Sequence, residues 1–198
     1  MDAIRIIEDD HRALAAVLHG MRWLVREIAE RGVAPRFDVL GAMIYYIDAF
    51  PERVHHPRES EYLFRFLRAR CQEAAPILDV LEEEHRAGAE HVRRLGQALA
   101  RYQGGGAAEF PAFASAVESF AAFELEHMRR EERDIMPLAR AHLHSEDWEV
   151  IDAAFAGGAV PIFNPRTTEE YAKLFDRIVM LAPPPIGVGP PEKRQNGP

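Results

Sequence analysis

Four histidines stand where a helical bundle would ordinarily place leucine, and two of them are followed four residues later by a glutamate. They are His11, His55 with Glu59, His85, and His127 with Glu131. Residues four apart on a helix are neighbours on one face, so each pair presents an imidazole and a carboxylate to the same point. Imidazole nitrogen suits iron, zinc and copper, and carboxylates can join two hard cations. One such piece on each of four successive helices is what a buried two-metal site takes from a bundle core. Two six-coordinate cations offer about twelve positions, of which four imidazoles, two bridging carboxylates and one bridging oxygen fill about ten. The open remainder, about two positions or about one if His56 also binds, is what separates a reactive site from a closed structural one.

A lone histidine on an apolar face is ordinarily a hydrogen-bonded core residue. Six polar groups buried together without a cation would be costly, however, so the metal reading is preferred. Zinc or manganese would also accept this mixture of ligands.

The helices that must carry these residues are legible from their apolar spacing. The stretch 3–31 has a seam of Ile4, Ile7, His11, Leu14, Leu18, Met21, Val25 and Ile28, in steps of three and four. A second helix, 36–70, aligns Leu40, Ile44, Ile47, Pro51, His55, Glu59, Tyr62 and Phe66. Pro51 and Pro57 each remove a backbone donor, so this helix is expected to bend or break around His55. The third begins near Pro76, a favourable first-turn residue, and ends before Gly104. Its seam is Leu78, Leu81, His85, Gly88, Val92, Leu95, Leu99 and Tyr102. The fourth, 108–142, carries Phe113, Val117, Phe120, Glu124, His127, Glu131 and Leu138, with Pro137 loosening its last turns. The expected fold is an all-α, up-down four-helix bundle over 1–144. Over 145–182 two shorter helices, 146–156 and 168–181, should pack on its outside. The Pro/Gly-rich segment 183–198 is expected to be a disordered tail.

Other polar residues are read in supporting roles. His56 lies a quarter-turn from His55, and ligand and surface readings are both open. Glu124, one turn before His127, is expected to hold a ligand imidazole from outside. Glu132 is a rim residue or hydrogen-bond partner, and Glu8, Asp48, Glu52 and Glu84 are partners or solvated. His19, His91, His142 and His144 read as surface, and Tyr45, Tyr46, Tyr62 and the phenylalanines as core. Glu82 and Glu124 also fall three residues before a histidine, as in ferritin-like carboxylate sites, but that reading leaves His11 and His55 without work.

Composition limits the partners. The 198 residues carry a net charge of -8 and include a single cysteine, Cys71. No basic stripe points to nucleic acid, and no apolar run points to a membrane span or a secretory leader. One cysteine makes no internal disulfide, which fits a reducing, cytoplasmic setting.

The strings EDDHRAL (8–14), HHPRESEYLF (55–64), LEEEH (81–85) and HMRREERDIMPLA (127–139) resemble the helix motifs of the hemerythrin-like, HHE cation-binding family. The resemblance spans about 4–141. It implies an oxo- or hydroxo-bridged di-iron centre, two iron ions per chain, with terminal ligands His11, His55, His85 and His127 and bridging carboxylates Glu59 and Glu131. The oxygen carriers of that family add a histidine four residues from the third-helix ligand. Here those positions are Leu81 and Ala89, which points away from simple oxygen carriage unless His56 compensates. The resemblance thus implies binding or reaction with dioxygen, peroxide or nitric oxide, most of all peroxide decomposition or stress-related redox chemistry. Its enzymatic form would be catalase-like or nitric oxide-related. The alternative it implies is an oxygen or iron sensor or carrier without turnover.

Overall fold

The computed structural model describes residues 2–157 and 165–190, the side chains of 165–172 excepted. Four long arms pack in a ring, the first and third each lying against the second and fourth. Short connections between long arms make ring neighbours antiparallel. The first arm is one unbroken helix, α1 (Asp2–Arg31), and the third is another, α5 (Ala75–Gly105). At the end of α5 the chain turns through Gly106 at φ 70°, a left-handed conformation that glycine adopts without steric cost.

The second and fourth arms change helical register. The second consists of α2 (Phe37–Ala49), a π-turn over Pro51–His55, one α-turn α3 (His56–Arg58), a second π-helical stretch over Glu59–Phe64, and α4 (Arg65–Arg70). Proline at 51 has no N–H to give the preceding turn. The N–H groups of His55 and His56 reach back five residues instead, to Phe50 O and Pro51 O. The bend expected around His55 is therefore a widening of the helix, not a break. The fourth arm repeats the device: α6 (Phe110–Arg130) passes into a π-turn over Glu131–Ile135, and α7 (Met136–His142) follows with Pro137 in its first turn.

Two apolar clusters hold the arms together. One gathers Leu14, Leu40, Met43, Leu95 and Phe113, the other Ile7, Phe64, Leu78, Ile135 and Trp148. Burying each Leu, Ile or Phe contributes about 1.5–3 kcal/mol. The inward histidines and glutamates lie between the two clusters: His11 falls between Ile7 of one and Leu14 of the other, and His85 between Leu81 and Val92. Tyr46 is buried as expected, but Tyr45 points outward and is 61% exposed.

After the bundle, α8 (Ser145–Phe155) lies against α1, and α9 (Pro165–Leu181) against α2. Of the C-terminal segment, 183–190 fold back on the end of α9, with Val188 N–H donating to Val179 O and Gly189 N–H to Ala182 O. Residues 191–198 lie outside the described residues. Among the described residues there is no strand, and no helix is long and apolar enough to cross a membrane.

Candidate metal centre

All six inward residues meet in the polar layer. Glu59 Oε1 lies 3.8 Å from His11 Nε2 and 3.3 Å from His55 Nε2, while its Oε2 lies 3.6 Å from His85 Nε2. Glu131 mirrors it: Oε2 is 3.2 Å from His11 Nε2, and Oε1 is 3.6 Å and 3.4 Å from the Nε2 atoms of His85 and His127. Each carboxylate thus turns one oxygen toward His11 and one toward His85. Two groups of candidate donor atoms result. Those of His11, His55 and Glu59 lie within 4.8 Å of one another, as do those of His56, Glu59, His85 and His127. Glu59 belongs to both groups.

The other ring nitrogen of each histidine is held from outside. Nδ1 of His11 is 2.9 Å from Glu132, that of His55 3.1 Å from Asp10, that of His85 2.8 Å from Ser60, and that of His127 2.9 Å from Glu84. Arg130 in turn pairs with Glu84. A carboxylate accepting from Nδ1–H fixes the tautomer and leaves the Nε2 lone pair facing inward, the usual arrangement around a metal-bound histidine. Both oxygens of Glu59 and of Glu131, and Nε2 of His11, are buried without a hydrogen-bond partner. Buried polar groups are seldom left so. A cation placed between the carboxylates and the imidazoles would satisfy all of them, so the donor set fits one.

The hemerythrin HHE cation-binding domain matches residues 2–139. The chain belongs to this family. No curated protein and no solved structure matches it. An HHE cation-binding domain implies a metal-binding site, the buried His/Glu layer could hold the ion, and its electrostatics show what a cation would displace.

Burial opposes charge on these groups, yet their mutual attraction prevails at most of them. Burial disfavours protonation of His127, but Glu131 and Glu84 raise its pKa to about 11. His55 is likewise raised to about 9 by Glu59 and Asp10, and His11 is raised well above the ordinary range by Glu131, Glu132 and Glu59. Glu59 is drawn down to about 2 against burial and against Glu131, by His55 and His11. His85 goes the other way: burial, with His56 stacked beside it, outweighs Glu131 and holds its pKa low. Without metal, protons on the imidazoles neutralise the two carboxylates. A cation must replace those protons.

The structure also places the residues read in supporting roles. His56 is buried and stacks on His85 with ring centroids 4.3 Å apart. Its Nδ1 lies 3.7 Å from Glu52 Oε1, the same outward pattern as the other four at longer range. Gly88 makes room for that carboxylate, since a Cβ there would collide with it. Glu132 and Glu84 hold imidazoles, whereas Glu8 pairs with Arg140 and Asp48 with Arg53 at the surface. Glu124 does not hold an imidazole. Both its oxygens are buried without a partner, and burial raises its pKa to about 7. Asp10 and Ser60 escaped the sequence reading. The available signal was adjacency: Asp10, Ser60, Glu84 and Glu132 each sit one residue from a ligand candidate on their own helix and hold a histidine on a neighbouring arm.

Proposed function

We propose that the polar layer holds two iron ions and that the protein binds and decomposes peroxide, with dioxygen and nitric oxide as related ligands. The observation that carries this reading is the division of Glu59 and Glu131, each with one oxygen toward His11 and one toward His85. That arrangement suits a pair of cations, one on the side of each imidazole. In this reading His11 and His55 serve the first position, and His56, His85 and His127 the second. Glu59 and Glu131 would be shared between the two, with five imidazoles available in all. That donor count would leave room for a small ligand, with which the bound irons would supply the capacity to exchange electrons.

The chain's own residues set the conditions. Asp10, Ser60, Glu84 and Glu132 orient the imidazoles. Beside His56 and His85 a cleft of about 310 Å³ opens to solvent, lined also by Glu52, Ser60, Glu82 and Arg86. Glu124, unpartnered and raised to about 7, can hold or release a proton near neutral pH. The lone buried cysteine fits a cytoplasmic setting, where peroxide removal would serve the response to oxidative stress.

The test is the absorption spectrum of the iron-loaded protein before and after peroxide, followed with an oxygen electrode. Near-ultraviolet bands from the bridged pair and release of one dioxygen per two peroxides consumed are expected. A stable new spectrum without peroxide consumption would make the protein a sensor or carrier instead. Absence of any iron-dependent band would overturn the reading.

A further inference from the structure

Away from the polar layer, at one corner of the bundle, three residues of different chemistry converge. Cys71 follows α4 in an extended conformation, φ -139° and ψ 100°, and its side chain is buried. Glu73 lies two residues on, in the 3₁₀ turn Gln72–Ala74 that leads into α5. His142 is the last residue of α7. Its Nε2 is 3.6 Å from Glu73 Oε1, and donor atoms of Cys71, Glu73 and His142 all lie within 4.8 Å of one another. The sequence alone reads His142 as surface and gives Cys71 no disulfide partner; the two lie 71 positions apart, and only the fold brings them together.

Thiolate, imidazole and carboxylate are the three donors of tetrahedral zinc, with bonds of about 2.0–2.3 Å and hence donor separations of about 3.5 Å. The His142–Glu73 separation of 3.6 Å is already close to this value, and the sulfur lies within 4.8 Å of both donors. We propose that Cys71, Glu73 and His142 form a second metal site, separate from the HHE centre, for a borderline divalent cation of the Zn(II) class. Solvent completes the tetrahedron, as at zinc sites with three protein ligands. Binding releases the thiol proton to water. Glu73 and His142 are solvent-accessible, with side chains 68% and 39% exposed, so the cation exchanges with solution. It would also clamp the end of α7 to the turn between α4 and α5, a corner that Arg70 already ties to α8 through its paired hydrogen bonds to Asp147.

The HHE centre contains no sulfur, and Cys71 is the only cysteine in the chain. A cobalt–thiolate charge-transfer band therefore reports this site alone, whether or not the di-iron reading holds. The experiment titrates the full-length, iron-loaded protein with Co(II) and then displaces it with Zn(II). The expected result is a thiolate band that saturates at one equivalent, is absent in Cys71→Ser, and needs at least tenfold more cobalt in His142→Ala. Zinc should also raise the melting temperature of the wild type but not of Cys71→Ser. Absence of the band in the wild type would overturn the proposal. So would a band unchanged in both His142→Ala and Glu73→Ala, which would mark nothing more than a thiol binding cobalt unaided.

Discussion

The first and third arms are unbroken helices of 30 and 31 residues, and each brings one histidine, His11 or His85, to the centre. The second and fourth arms are interrupted by π-turns and bring the rest: His55, His56 and Glu59 from one, His127 and Glu131 from the other. Successive residues of a regular α-helix lie about 100° apart, a wide spread for two imidazoles that must reach one layer. A π-turn packs more residues into each turn, and both are buried here. The denser half of the polar layer thus coincides with a local change of register, placed where Pro51 and Pro137 deny the helix a donor. The unbroken arms keep the frame straight.

Removing a residue from an interrupted arm should have the largest effect. Glu131→Ala or His127→Ala is expected to lose most bound metal, whereas His91→Ala, at a surface position with its ring against Phe123, should keep it. Metal analysis after desalting makes the comparison, and full metal content in both ligand variants would show that the paired arm is not the ligand source.

The metal-free protein should expose the same contrast through pH. The raised pKa of His55, about 9, gives stability that is complete below pH 6.5 and lost as pH rises through 9. His127, raised to about 11, acts in the same sense to higher pH. Glu124, raised to about 7, also favours the fold below pH 4.5 and loses that contribution as pH rises through 7. Glu59, lowered to about 2, contributes above pH 4.5 and loses it as pH falls through 2. Melting temperature without metal should therefore peak near pH 4.5 and decline toward pH 9, while the loaded protein stays flatter. Glu124→Gln should stabilise the metal-free protein at pH 8 by up to about 3 kcal/mol and leave metal content unchanged. A metal-free profile that rises from pH 6 to 9 would contradict this charge balance.

A smaller effect is expected from the outer residues. Glu84→Gln weakens the hold on His127 Nδ1 and should lower metal affinity about 10–100-fold without changing stoichiometry. Competition with a chelator measures it, and an unchanged affinity would deny Glu84 a positioning role. The mildest change is Gly88→Ala, which forces the Glu52 carboxylate aside and so acts only through His56. Less than a tenfold loss in the same competition is expected, and a larger one would mean that Gly88 supports the third arm directly.

The fold was legible because burial is periodic: apolar residues spaced by three and four mark every arm, and the histidines that interrupt the seams mark the centre. Register was less legible. Proline announced a disturbance near His55 but not that His56 would be buried beside it, since a neighbour at i+1 reads as a quarter-turn away. The residues that orient the imidazoles were hidden for the same reason. Asp10, Ser60, Glu84 and Glu132 point off their own seams, and only the packing of a second helix shows what they reach. Glu124 errs in the opposite sense. Its seam position fixes that it faces inward, but not that it meets no partner there.

The division of Glu59 and Glu131 between two imidazole groups is tested most directly by counting iron. After anaerobic loading with ferrous ion and desalting, the account predicts two irons per chain, falling to one or none when Glu59 is replaced by alanine. A single iron in the wild type, or none, would contradict it.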